Sequence, residues 1–323
     1  MPDAADLPIV DIAPFIDGDA GSRRGVATAF GRAFETTGFA VVTGHGVPAH
    51  LADDLYGALA AFFDQPFQSK IALTPPEQAK GRGYLPMGIE SVGKTLAGET
   101  PPDLCEALVF SAPHRAGSDR RNIWPNDPAG LAPLVRQWTG EMARLCHVLS
   151  RLSAMALDLP EDALAADFAD PALVLRFVNY PDQPEEPAPG QLRYGEHHDY
   201  GGLTILRQDA APGGLQVCGN DGVWREAGVV PDSFVINVGD LMARWTNDRW
   251  RSTLHRVSNP PRDWTGSTRR LSMVAFTGPN EATEVACLPT CHSAEAPPKY
   301  APVKAGDYVM SKIRASMDLT EAK

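Results

Sequence analysis

Hydrophobic positions recur at helical spacing in the first half of the chain and in short β-favouring runs in the second. Between Gly21 and Glu35, the residues Val26, Ala29, Phe30 and Phe34 fall at helical spacing, and Gly38 closes the pattern before the run Phe39-Ala40-Val41-Val42-Thr43. Leu51, Leu55, Leu59 and Phe62 mark the buried side of a second helix over 49–63, opened by Pro48 and stopped by Pro66. Residues 65 to about 130 are rich in Gly and Pro and hold no sustained period, which predicts a surface-wrapping stretch contributing a lid or substrate-facing loops. Leu134, Trp138, Met142, Leu145, Leu149 and Leu152 then define a long amphipathic helix over 131–157, whose broad apolar side calls for a sheet.

Beyond Ala172 the character changes. Segments 173–178, 203–206, 214–217, 233–238 and 271–276 are short, β-favouring and separated by Gly, Pro, Asn and Asp, the pattern of an antiparallel β-domain. With helices gathered ahead of it, the predicted class is α+β and mainly β: a double-stranded β-helix, or jelly roll, buttressed by N-terminal helices. The expected organisation is a single domain over 1–323. Residues 1–170 form a mostly helical region, 171–280 the jelly-roll core with the candidate site, and 281–323 a C-terminal extension.

Composition narrows the function. A chain of 323 residues, 43% hydrophobic, is long enough for a substantial core. Forty acidic against 29 basic residues give a net charge of -11, which repels a phosphate backbone or an anionic membrane surface, so neither nucleic acid nor membrane is expected as a partner. The first fifteen residues lack the basic start and apolar run of an export signal, and a cytoplasmic location is expected. Five scattered cysteines read as free thiols in a reducing compartment.

The candidate chemistry lies in the β-rich half. In Gly195-Glu196-His197-His198-Asp199-Tyr200-Gly201-Gly202-Leu203-Thr204, His197 and Asp199 are two apart, so on an extended strand they point to one face. About one such pair arises by chance in a chain with this many acids, so the pair alone decides little. A later histidine, His255 in Ser252-Thr253-Leu254-His255-Arg256-Val257, raises its weight. Two imidazoles and one carboxylate bind one side of a divalent ion and leave the other open, the set that suits O₂-activating iron(II), whereas a closed zinc site asks for a fourth protein ligand. His198 is the alternative to His197, although its side chain is expected on the opposite face. Arg270 and Ser272 share a strand face and form a carboxylate-binding pair, and Tyr180 in Asn179-Tyr180-Pro181 offers a phenol from another strand. Taken singly, Arg270 reads as an ordinary surface arginine. Cys287 and Cys291 with His292 lack zinc-site spacing and read as a loop, His45 reads as structural, and Trp245 and Trp250 as packing aromatics.

The segments 175–181, 197–204, 213–217, 235–240, 252–257 and 270–272, in that order, together resemble the isopenicillin N synthase-like family of iron(II)- and 2-oxoglutarate-dependent oxygenases. Leu7-Pro8-Ile9-Val10-Asp11 and residues 38–47 resemble that family's opening, so the similarity spans nearly the whole chain. The resemblance implies that His197, Asp199 and His255 bind iron(II). It further implies that Arg270 and Ser272, with Tyr180, hold 2-oxoglutarate, and that O₂ oxidises a small-molecule substrate, most often by hydroxylation, with release of succinate and CO₂. Val178 stands where plant members usually carry Asn, and 274–280 departs from the family's aromatic-rich version. Substrate contacts are expected from residues 80–112, Arg193, Phe276 and the tail Ser311 to Lys323. Rival readings are an iron oxidase that dispenses with 2-oxoglutarate, a jelly-roll protein that binds a ligand without redox chemistry, and a zinc hydrolase, which lacks a positioned base.

Overall fold

The computed structural model describes residues 7–75, 81–98, 100–113 and 122–316. Residues 80 and 99 of the expected substrate-facing stretch, and 317–323 of the tail, lie outside them.

Strand β1 (Ile9–Asp11) leads through the short helix α1 (Ala13–Asp17) into α2 (Ala20–Thr36), whose first turn is capped by Asp19 accepting the Ser22 N–H at 2.8 Å. Phe30 and Phe34 on its inner face pack edge-on against the buried Trp250, with Phe34 at 4.9 Å between ring centroids. Burying each such ring stabilises the fold by about 2 kcal/mol. Gly38 ends the helix with φ of 73°, and a Cβ there would stand 2.3 Å from the Arg251 carbonyl oxygen and 2.4 Å from the Thr253 hydroxyl. That close approach seats the helix corner against the segment leading to His255.

Strand β2 (Phe39–Thr43), helix α3 (Ala49–Phe63), the short α4 (Phe67–Ile71), β3 (Gly83–Leu85), α5 (Lys94–Ala97) and β4 (Glu106–Ser111) follow, then the long α6 (Leu131–Ala156). The second half holds β5 (Ala172–Tyr180), β6 (Tyr194–His197), β7 (Leu203–Gln208), β8 (Leu215–Cys218), β9 (Trp224–Glu226), β10 (Phe234–Val238), α7 (Asp240–Trp245), β11 (His255–Val257), β12 (Arg270–Gly278), β13 (Glu284–Val285), β14 (Val303–Lys304) and α8 (Ala305–Ser316).

Among the described residues, eight strands form one sheet in the order β1-β2-β10-β7-β12-β5-β4-β3, and four form a second in the order β6-β11-β8-β9. Alternation along the strands sorts the residues between the two faces of the large sheet. Leu173, Leu175 and Phe177 of β5 join α2, α3 and α6 in the main core, while Val178 and Tyr180 pack toward Val257 of the smaller sheet. Further along, Val41 and Val235 meet Leu215 and Val217. The result is the expected double-stranded β-helix with helices against one side.

The expectation for 65–130 fails at β3 and β4. β4 pairs with β5 over six residues, from Glu106↔Asn179 to Ser111↔Val174, and Leu108 and Phe110 are fully buried. Its apolar run is too short to stand out among the surrounding Gly and Pro. Around it, Glu106 accepts hydrogen bonds from Lys70 at 2.8 Å, from Asn179 at 2.8 Å and from the Tyr84 hydroxyl, so a buried lysine and glutamate are paired inside the fold. Among the described residues no helix is long and apolar enough to cross a membrane.

Candidate metal centre

His197 closes β6 and His255 opens β11, and the antiparallel register places the two directly opposite each other. Their ring centroids lie 4.1 Å apart. Asp199, two residues beyond His197, brings Oδ1 to 3.6 Å from the His197 Nε2 and 3.7 Å from the His255 Nε2. All three residues are buried, and their candidate ligand atoms lie within 4.8 Å of one another. Among the described residues this is the one cluster of three or more such side chains.

The surroundings fix which atoms face the common point. The Nδ1 of His197 is bonded to the Gly195 carbonyl at 2.9 Å and that of His255 to the Thr253 carbonyl at 3.0 Å. A carbonyl only accepts, so each ring donates from Nδ1 and turns its Nε2 edge toward Asp199. Burial, with His197 alongside, pushes His255 down to about 4, so its ring is neutral at neutral pH. Burial alone would raise Asp199. The neighbouring His255 and His197 and the Thr204 hydroxyl outweigh it and hold the carboxyl well below the usual range.

Asp199 is oriented from the far side. Its Oδ2 accepts the Thr204 hydroxyl and the Asn237 amide, both at 2.6 Å, leaving Oδ1 for the shared point. Thr204 on β7 and Asn237 on β10 are themselves register partners. The Asp240 N–H donates to the Asp199 carbonyl at 2.7 Å and fixes the backbone. Neither Thr204 nor Asn237 stood out in the sequence, because what marks them is a pairing between distant strands. His198 points elsewhere: it lies 3.4 Å from the Ser252 hydroxyl and lines a separate cleft of about 530 Å³ with Asp240, Arg244 and Lys312. Two imidazole nitrogens and one carboxylate oxygen, with no fourth His, Cys or carboxylate in the cluster among the described residues, fit an iron(II)-type ion held on one side.

Arg270 and Ser272 are both buried on β12, and the register sets Arg270 opposite Tyr180 and Ser272 opposite Val178. Arg270 donates to the Gln208 side-chain oxygen at 2.7 Å and to the Asp209 carbonyl at 3.1 Å, while its Nε has no partner among the described residues. The adjacent Arg269 takes the surface role instead, pairing with Asp64 at 2.6 Å. Burial pushes the Tyr180 hydroxyl strongly up, keeping it protonated. An arginine buried with an unused donor, beside a neutral phenol, fits a carboxylate ligand.

Other sequence candidates settle plainly. His45 is buried, bonded to the Asp232 carbonyl at 3.1 Å and to the Val47 N–H at 3.1 Å, a structural turn. All five cysteines are free thiols. Trp245 stacks on Phe168. From 80–112, Glu90 forms a two-pronged ion pair with Arg176, at 2.9 and 2.5 Å. The Arg176 guanidinium lies 5.4 Å over the Tyr194 ring, which meets the His197 ring edge-on at 4.9 Å. Asp103 accepts the Val92 and Gly195 N–H groups, at 2.9 and 2.8 Å. Arg193 is wholly buried, and its hydrogen bonds go to backbone carbonyls.

The chain is similar to known proteins. Residues 169–279 match the 2OG-Fe(II) oxygenase superfamily, and residues 7–127 match the non-haem dioxygenase in morphine synthesis N-terminal family. A validamycin A dioxygenase from Streptomyces hygroscopicus subsp. limoneus is 32% identical across 79% of this chain and 72% of its own length. A homoarginine-6-hydroxylase from Oryza sativa subsp. japonica is 30% identical across 85% of this chain and 84% of its own. The crystal structure of a full-length Neurospora crassa protein in complex with alpha-KG superposes with a TM-score of 0.85 at 28% identity, covering 97% of this chain and 99% of that one. With its histidine–carboxylate–histidine cluster and its jelly-roll core, the chain belongs to the 2OG-Fe(II) oxygenase superfamily and is an iron(II)- and 2-oxoglutarate-dependent dioxygenase.

Proposed function

We propose that this dioxygenase hydroxylates a small, polar organic substrate, with release of succinate and CO₂ from 2-oxoglutarate. The observation that carries the reading is the convergence of His197 Nε2, Asp199 Oδ1 and His255 Nε2 on one point, each fixed by a hydrogen bond on its other side. In this reading those three side chains hold iron(II). Arg270 and Ser272, with the Tyr180 phenol, hold the far carboxylate of 2-oxoglutarate. The bound metal and co-substrate supply the oxidising chemistry.

The chain's own work is position and dryness. Thr204 and Asn237 keep the Asp199 carboxylate turned toward the ion, and the Gly195 and Thr253 carbonyls keep both imidazoles in the ligating tautomer. Burial of all three ligands excludes bulk water from the reacting centre. The polar character of the substrate is supported by the Arg176–Glu90 pair, one aromatic ring away from His197. The relatives' names point the same way: validamycin A and homoarginine are what two of them act on, and the Neurospora crassa protein has been crystallised with thymine.

The test is a screen of small polar compounds with iron(II), 2-oxoglutarate and O₂, scored by succinate and by oxygenated product. Equal amounts of the two are expected, with both abolished in His255→Ala. Substrate oxidation without succinate would sink the reading.

A further inference from the structure

Two buried guanidiniums flank the turn Pro212-Gly213-Gly214. On one side, Arg193 Nη1 donates to the carbonyls of Pro212 at 2.7 Å and Gly213 at 3.3 Å, and Nη2 donates to the Thr268 carbonyl. On the other, Arg270 lies so close to Gly214 that a Cβ there would come within 3.2 Å of its Nη1. Gly213 has φ of 69° and would drive a Cβ into the Asn259–Pro260 backbone, so the turn requires glycine at this point. Arg193 and Arg270 are 0% and 1% exposed, and the Nε of each lacks a partner among the described residues.

The negative charge around them does not balance. Among the described residues, no carboxylate lies within ion-pair range of Arg193, whose acceptors are neutral carbonyls. Asp209 is the carboxylate nearest Arg270, at 3.5 Å, and it already accepts the Leu271 N–H, the Ala211 N–H and the Tyr56 hydroxyl. Burial first, and then repulsion from Arg270, push Arg193 down to about 10, still charged at neutral pH. Two desolvated cations beside a single, saturated anion that only Arg270 reaches are costly in isolation and become favourable when a further anion enters.

We propose that Arg193 is the second cation of the far-carboxylate pocket, a positioning residue that strengthens and selects dicarboxylate binding through its charge and through the turn and Thr268 that frame Arg270. The inference rests on the assignment of Arg270 to that carboxylate. The Arg193 guanidinium lies over the Tyr180 ring, 6.0 Å from its centroid, and so acts through a side chain of that pocket. A purely structural staple would treat all 2-oxo acids alike, whereas a charge aimed at the far carboxylate discriminates between them.

The test is calorimetric binding of 2-oxoglutarate and of 2-oxobutyrate, which keeps the 2-oxo acid end but lacks the far carboxylate, to anaerobic iron(II)-loaded enzyme. Arg193→Met is expected to weaken 2-oxoglutarate by about tenfold or more and 2-oxobutyrate by no more than about twofold. Arg193→Lys, which keeps the charge, is expected to retain most of the selectivity. Equal weakening of both acids, no weakening of either, or a lysine variant as unselective as the methionine one overturns the proposal. Should Arg193→Met not fold, Arg193→Gln carries the same comparison. Arg270→Met is the control: if it leaves the preference for 2-oxoglutarate intact, the Arg270 assignment itself has failed.

Discussion

Replacing Thr204 by valine removes one donor from Asp199 while conserving shape. The hydroxyl sits 2.6 Å from Oδ2, shares that oxygen with the Asn237 amide and is buried. A hydrogen bond to a buried carboxylate contributes about 1.5–3 kcal/mol. Scaled to a domain of this length, its loss lowers the melting temperature of the metal-free protein by about 2–4 °C. The larger effect is on the metal. With one of two tethers gone, Asp199 can rotate Oδ1 away from the histidines, and the iron(II) dissociation constant rises by about 10- to 100-fold. Anaerobic titration of iron(II) into wild type, Thr204→Val, Asn237→Leu and the double variant reads this directly, with turnover at saturating metal measured alongside. Turnover should recover substantially as metal is raised, and the double variant should differ from the sum of the singles because both act on one oxygen. An unchanged metal affinity in both single variants would refute the claim that these two donors aim the carboxylate.

Three further outcomes follow from the structure. His255 is held near 4 in the fold against 6.5 in the unfolded chain, so below pH 6.5 the unfolded state takes up a proton that the buried ring refuses. Metal-free stability should therefore be flat above about pH 6.5 and fall by a total on the order of 3 kcal/mol toward pH 4, and His255→Asn should remove this component from denaturant-unfolding curves across that range. Gly38→Ala places a Cβ against the Arg251 carbonyl in a left-handed conformation, costing about 2 kcal/mol or more in urea unfolding and weakening iron(II) binding through the displaced Thr253–His255 segment. Arg176→Met strands Glu90 and should destabilise by about 3 kcal/mol, while the double change Arg176→Met with Glu90→Leu should recover most of the loss; equal losses would show that the pair itself carries stability.

What the sequence determined by itself was whatever depends on neighbours a few residues apart. Helical spacing placed α2, α3 and α6 within a residue or so of their ends, because a helix buries every third or fourth residue of one segment. The two-residue step from His197 to Asp199, and from Arg270 to Ser272, announced shared faces for the same local reason. The tertiary structure alone decided the rest. Cross-strand register set His255 opposite His197, sent His198 toward Ser252 and Asp240, and joined Thr204 to Asn237 behind Asp199. It also drew β4 into the large sheet and set Arg193 and Arg270 on either side of one turn. Periodicity records which way a side chain points, but which partner it then meets depends on hydrogen-bonded pairing between segments tens of residues apart, and that pairing leaves no repeat in the chain.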